Sequence, residues 1–469
     1  MRRGLTIAGP ILLTALAVAF VGPWPTYGRV DLARADYYRE AIAELDRSAA
    51  RSVLSTRPGA LRAGWARRPI ELLAGLPLAG YSRRDGRPNS GVHDPLFVKA
   101  VVLSDGADTV VIVGCGLLIV PENLAAAVRR EVLRSLDLPG DRILFNATHT
   151  HSGPGSWAPG WVGAQFAGKH DPDWADSLTE TFVAAIEAAH RSLLPARIAH
   201  GTTPVPGLIA NRVRAGAAVD PDLQWLLIET QGGERCCLVS YAAHPTILGP
   251  DNMLLSGDYP GFLERGLEGG SIDFALFLAG AVGSMKPVHP QQGDSFDSAR
   301  FVGEALAAKV LAQLQPPQPG FESHPDLATA GAPIQMPELQ VRINRSWRWS
   351  PRLPRLLGVN NQAWLQAVRL GDVILVGFPA DFSGEISPGL KRWAERLGIQ
   401  LWTLSFNGDY IGYVSPDRYY DAANRGRRER YELLTMSWCG PQQEQYLTAL
   451  AKRAVSRLTD RPQRHTRER

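Results

Sequence analysis

The chain has 469 residues, of which 45% are hydrophobic and 20% charged, and its formal net charge is +4. This is a globular composition, long enough for one large domain or two ordinary ones. The basic residues are mostly scattered arginines rather than a stripe, so no nucleic-acid partner is expected.

Met1-Arg2-Arg3 precedes an uncharged apolar stretch, Gly4 to Val21. Arginines before such a run mark an export signal or a membrane anchor. Residues 1–27 are expected to be one or the other. The anchor is favoured, because Pro23 and Pro25 follow where a small-residue cleavage site belongs. The rest would then be exported, either anchored on the periplasmic or extracellular side or secreted after cleavage. Residues 28–60 read as a helical connector built on the amphipathic stretch Leu32 to Val53. Residues 61–458 read as one large domain, and 459–469 as a disordered basic tail.

In chain order, Thr109 to Val113 predicts a strand, Glu122 to Leu136 a helix, Ile143 to Thr148 a strand and Asp173 to Leu193 a helix. Leu223 to Glu229 and Cys236 to Ala243 predict two strands joined by a glycine turn. Phe274 to Leu278 predicts a strand and Ala299 to Leu314 a helix. Pro316 to Pro325 is the best internal break. Val373 to Val376 and Leu401 to Leu404 are strand-like, and Gln442 to Leu458 predicts the final helix. The alternation predicts an α/β architecture, a mixed β-sheet core flanked by helices. The four cysteines, Cys115, Cys236, Cys237 and Cys439, contain no C-x-x-C pair, so a zinc ribbon or thioredoxin motif is excluded. Cys236 and Cys237 are expected to pack on opposite faces of their strand.

The richest segment is Asn146-Ala147-Thr148-His149-Thr150-His151-Ser152-Gly153-Pro154-Gly155. If the strand runs on, His149 and His151 share a face at its end. One imidazole could hold a metal, and the other would stand beside whatever the metal binds. His244 likewise ends an apolar run, in Tyr241-Ala242-Ala243-His244-Pro245-Thr246. Gly377-Phe378-Pro379-Ala380-Asp381 places a carboxylate after a strand, with Glu385 as a nearby substitute. Asn407-Gly408-Asp409-Tyr410-Ile411-Gly412-Tyr413 follows.

Together these blocks resemble the neutral/alkaline non-lysosomal ceramidase family, over about Gly80 to Gly440. The resemblance is to the catalytic N-terminal domain, and the family's carboxy-terminal immunoglobulin-like domain is expected to be missing. Asn211-Arg212 and Gly91-Val92-His93 resemble further family segments, as do Arg430-Tyr431-Glu432 and Gly440-Pro441. The resemblance implies that His149, His244, Asp381 and Tyr413 hold one Zn²⁺ and leave a position for water. It implies that His151 and Arg212 hold the oxyanion, or that His151 shuttles a proton to the leaving amine. The implied substrate is an N-acyl lipid such as ceramide, met at a membrane through the N-terminal segment.

Two departures stand out. Asp381 replaces the family's glutamate and is one methylene shorter. Gly280-Ala281-Val282-Gly283-Ser284-Met285 replaces Gly-Asp-Val-Ser-Pro-Asn, so Ser284 stands one residue from the family's catalytic serine and is expected to fill part of its role. A catalytically impaired exported lipid- or envelope-binding scaffold is the alternative. A serine hydrolase built on Ser284 is the third reading, but the Gly-x-Ser-x-Gly elbow is missing.

Overall fold

The computed structural model describes residues 5–52, 59–290, 295–315, 320–421 and 431–460. The mixed sheet expected between helices is present, and it is the larger of two main sheets among the described residues, which also form three two-stranded ones. An eight-stranded sheet runs in the order Phe274–Ala279, Arg235–Tyr241, Asp222–Thr230, Leu194–Pro204, Arg62–Pro69, Phe97–Ser104, Thr109–Cys115, Ile143–Ala147. The outermost pair at each end is parallel and the pairings between are antiparallel. A four-stranded sheet runs Leu327–Gln335, Gln362–Leu370, Val373–Gly377, Gln400–Leu404.

The two sheets stack on each other. Val110, Ile112 and Leu144 from the larger meet Val368, Val373, Leu375 and Trp402 from the smaller in one buried cluster. The opposite face of each sheet is covered by helices. Val111 and Val113 join the cluster that contains Leu124 and Val128 of helix Glu122–Leu136 and Phe182 of helix Pro172–Arg191. Ile374 and Val376 join the one containing Leu45 of helix Asp36–Arg51 and Leu447 of helix Gln443–Thr459. These strands are apolar on both faces because both faces are buried, and each such side chain contributes about 1.5–3 kcal/mol. Cys236 faces the inter-sheet core and Cys237 the helix-covered one, as their adjacency predicts.

The helices start and stop on local chemistry. Asp171 accepts the Trp174 amide at 3.2 Å, with Pro172 in the first turn, which caps Pro172–Arg191. Helix Glu122–Leu136 has the predicted bounds. Its buried stripe is Leu124, Val128 and Val132, and it ends on Asp137 in the left-handed region at φ 53°.

The N-terminal expectation needs correction. Among the described residues, helix Leu5–Phe20 contains Pro10. Among the described residues no helix is long and apolar enough to cross a membrane, so the expected spanning anchor is not supported. Residues 461–469 of the expected tail and 316–319 of the expected break lie outside the described residues, as does Arg430.

Candidate metal centre

The site lies just beyond the carboxyl ends of four strands. His149 and His151 follow Ile143–Ala147, and His244 follows Arg235–Tyr241. These strands lie toward opposite ends of the larger sheet, and the side-chain amide of Asn146 draws the ends together. It donates to Ala279 O at 3.2 Å and to Ser405 O at 2.8 Å, and it accepts from Ala279 N at 2.7 Å. Asn146 thus supplies, with one side chain, the donor and acceptor that a further strand would offer. Ser405 and Phe406 follow Gln400–Leu404, and Asp381 follows Val373–Gly377.

The two histidines of the His-Thr-His block do meet, but not through strand alternation. The strand ends at Ala147 and His149 turns left-handed at φ 63°. Its ring stacks on Phe406, with centroids 4.0 Å apart and planes within 9°. The result is three imidazoles aimed at one point. Nε2 of His149 lies 3.0 Å from Nε2 of His244, and Nε2 of His151 lies 3.3 Å and 3.1 Å from those two.

Their protonation follows from their partners. Nδ1 of His149 faces the Leu118 carbonyl at 2.6 Å, and Nδ1 of His244 faces the Val282 carbonyl at 3.2 Å. A carbonyl only accepts, so each Nδ1 carries the proton and each Nε2 is a bare lone pair. Burial lowers the His149 pKa to about 3 and holds His151 and His244 well below the usual range. All three are therefore neutral at physiological pH. Two lone pairs 3.0 Å apart repel each other unless a cation lies between them. A tetrahedral ion with metal–nitrogen distances of about 2.0–2.1 Å sets its ligand atoms roughly 3.3 Å apart. The residues fit a metal ion.

Asp381 stands beside this trio at 1% exposure. Its Oδ1 lies 3.5 Å from Nε2 of His149 and has no hydrogen-bond partner, while Oδ2 accepts from the Tyr410 hydroxyl at 2.7 Å. Burial raises its pKa to about 7, outweighing the Tyr410 hydrogen bond and the nearby Arg212 charge, which lower it. Glu385 is turned elsewhere: Asn211, Arg418 and Tyr419 all donate to it. It is not the substitute ligand considered from the sequence.

Arg212 and Tyr413 form the next layer. Arg212 Nε donates to buried Glu432 at 2.8 Å, and its Nη2 donates to the Tyr413 hydroxyl at 2.9 Å. Both residues line a cavity of about 580 Å³ together with His149, His151 and Asp381. Leu118, Ile119, Phe166, Met436, Tyr81 and Tyr431 give that cavity apolar and aromatic walls. Ser284 is the exception among the expected catalytic residues. It is fully buried at φ 65°, its hydroxyl accepts from Ser383 at 3.1 Å, and it is not among the residues lining the cavity. The one-residue shift has turned it under the floor, where its carbonyl receives the Arg212 amide at 2.8 Å.

Three contributors escaped the sequence reading. Glu432 sits in a segment noted only for its resemblance. Tyr410 sits three residues before Tyr413 in the same motif. Gly80 has φ 108°, and a Cβ there would lie 2.6 Å from Nδ1 of His151. The Gly80→Ala variant is expected to lose about 1–3 kcal/mol of stability and to bind metal more weakly as the His151 ring shifts. Thermal melting and chelator competition read both effects, and unchanged values would contradict the packing described.

Residues 72–271 match the family model for the neutral/alkaline non-lysosomal ceramidase N-terminal region. Over this stretch the chain is similar to the neutral/alkaline non-lysosomal ceramidases. The neutral ceramidase of Mycobacterium tuberculosis is 28% identical over 243 residues, which are 45% of this chain and 37% of that protein. That of Pseudomonas aeruginosa is 25% identical over 269 residues, 50% of this chain and 39% of that protein. The matched segments thus span well under half of these curated relatives. A crystal structure of neutral ceramidase from Pseudomonas aeruginosa superposes with a TM-score of 0.72 at 20% identity, covering 86% of this chain and 75% of that one. A structure of a ceramidase complexed with C2 gives the same score, covering 85% and 75%. At 20% identity these two likenesses speak for the fold. His149, His151, Arg212 and His244 fall inside the family match, and Asp381 and Tyr413 lie beyond it.

Proposed function

We propose that the chain is a zinc-dependent hydrolase that cleaves the amide bond of an N-acyl lipid of the ceramide type. The observation that carries this reading is the set of converging Nε2 lone pairs beside the unpartnered Asp381 Oδ1, at the end of an apolar cavity. His149, His244, Asp381 and Tyr413 would hold the ion, and Nε2 of His151 faces the same point. When bound, zinc supplies Lewis acidity, polarising a carbonyl and lowering the pKa of water toward neutrality.

The chain's own groups account for the rest. The apolar walls take the acyl chain and exclude water from it. Arg212, fixed by Glu432, presents positive charge where an attacked amide oxygen gathers negative charge. His151 is neutral and can pass a proton between the attacking water and the leaving amine. The lipid class rests on the relatives' printed names together with this cavity.

One observation favours a second reading. Ser284 faces Ser383 rather than the cavity, which suits a lipid-binding scaffold that has lost turnover. A fluorescent short-chain ceramide separates the two. The proposed function requires cleavage by the zinc-loaded protein, loss of cleavage after chelation and return of cleavage on adding zinc. Tight binding of the ceramide without cleavage under all three conditions would favour the scaffold.

A further inference from the structure

The shortened carboxylate raises a geometric problem. An aspartate carboxyl rotates about its terminal bond, and either oxygen, or both, could face a cation. Here one oxygen is taken: the Tyr410 hydroxyl donates to Oδ2 at 2.7 Å, and Oδ1 is left buried, unpartnered and 3.5 Å from Nε2 of His149.

Tyr410 cannot drift from this position. Its segment is zipped to that of Asp381 by Ile411 N to Pro379 O at 2.8 Å and Asp381 N to Gly412 O at 3.1 Å. The parallel pairing of Asp381 with Tyr413 continues the zip. Its ring packs edge-on against Trp438, with centroids 5.3 Å apart, and Asp409 accepts its backbone amide at 2.8 Å.

We propose that Tyr410 is a positioning residue for the metal-binding carboxylate: it holds Oδ2 so that Asp381 presents Oδ1 alone to the ion. This deepens the zinc reading above and rests on it. A hydrogen bond to the second oxygen of a ligating carboxylate typically changes metal affinity by about 10–100-fold.

The test is zinc affinity, measured on the full chain by chelator competition, for the unaltered protein, Tyr410→Phe, Asp381→Asn and the double variant. Tyr410→Phe keeps the ring and its packing, and melting of the metal-free proteins checks that the fold is retained. Tyr410→Phe should weaken zinc binding by about 10–100-fold when Asp381 is present, and cause no further loss in the Asp381→Asn background. A Tyr410→Phe affinity within about twofold of the unaltered protein overturns the inference, as does the same loss in both backgrounds, while leaving the zinc reading intact. No zinc binding by the unaltered chain removes the zinc reading and this inference with it.

Discussion

Replacing His149 with alanine is expected to lower zinc affinity by roughly a hundred- to a thousand-fold. Structural zinc sites with four ligands bind with about 10–16 kcal/mol, so one ligand accounts for about 3 kcal/mol. The cost should fall on His244→Ala to a similar degree, because the two Nε2 atoms lie 3.0 Å apart and both Nδ1 atoms are fixed by backbone carbonyls. The metal-free form should respond in the opposite sense. Removing one ring removes a lone-pair repulsion inside a buried site, so the apo variant should melt no lower than expected for the cavity it leaves. Chelator competition and melting of the apo proteins read the two effects. Undiminished zinc binding in His149→Ala would place the ion elsewhere.

The second large effect belongs to Arg212. Among the described residues its charged partner within ion-pair distance is Glu432, at 2.8 Å and 0% exposed. Arg212→Leu leaves that carboxylate buried without its cation, which costs about 3–5 kcal/mol. Turnover should fall further, by about a hundred- to a thousand-fold, if the guanidinium also meets the developing oxyanion. Arg212→Lys restores the charge but has no planar fork to reach Glu432 and Tyr413 together. It should recover stability better than turnover. A normal melting temperature for Arg212→Leu would contradict the buried pair. Equal recovery of both properties by Arg212→Lys would assign Arg212 a structural role alone.

Much of the secondary structure is legible in the residues. Glu122 to Leu136 could be read as a helix because Leu124, Val128 and Val132 recur at helical spacing. Runs such as Val373 to Val376 show that a strand exists, but not which way it faces. Every side chain in that run is buried: Val373 and Leu375 meet the other sheet, and Ile374 and Val376 meet helices. A strand covered on both faces has no polar alternation to reveal its partners, so the stacking of two sheets was not visible.

The site shows a similar limit. His149, His151 and His244 were found as residues, but their geometry was not. Alternation along a strand predicted a shared face, whereas a left-handed turn at His149 produces the convergence. Tyr410 could not be recognised from spacing, because its contact with Asp381 depends on pairing between segments 29 residues apart. Ser284 shows the reverse case. A serine near the expected place in the chain points to Ser383, because a one-residue shift at a positive φ redirects the side chain. At the N-terminus, hydropathy marks an apolar run, yet among the described residues no helix is long and apolar enough to cross a membrane.

The central claim is that His149 and His244, with His151 beside them, hold one metal ion. Elemental analysis of the purified chain, after zinc loading and removal of excess metal, tests it most directly. The predicted result is one zinc per chain, lost in His149→Ala and His244→Ala. No bound metal in the unaltered protein, or one zinc per chain retained in both variants, would contradict it.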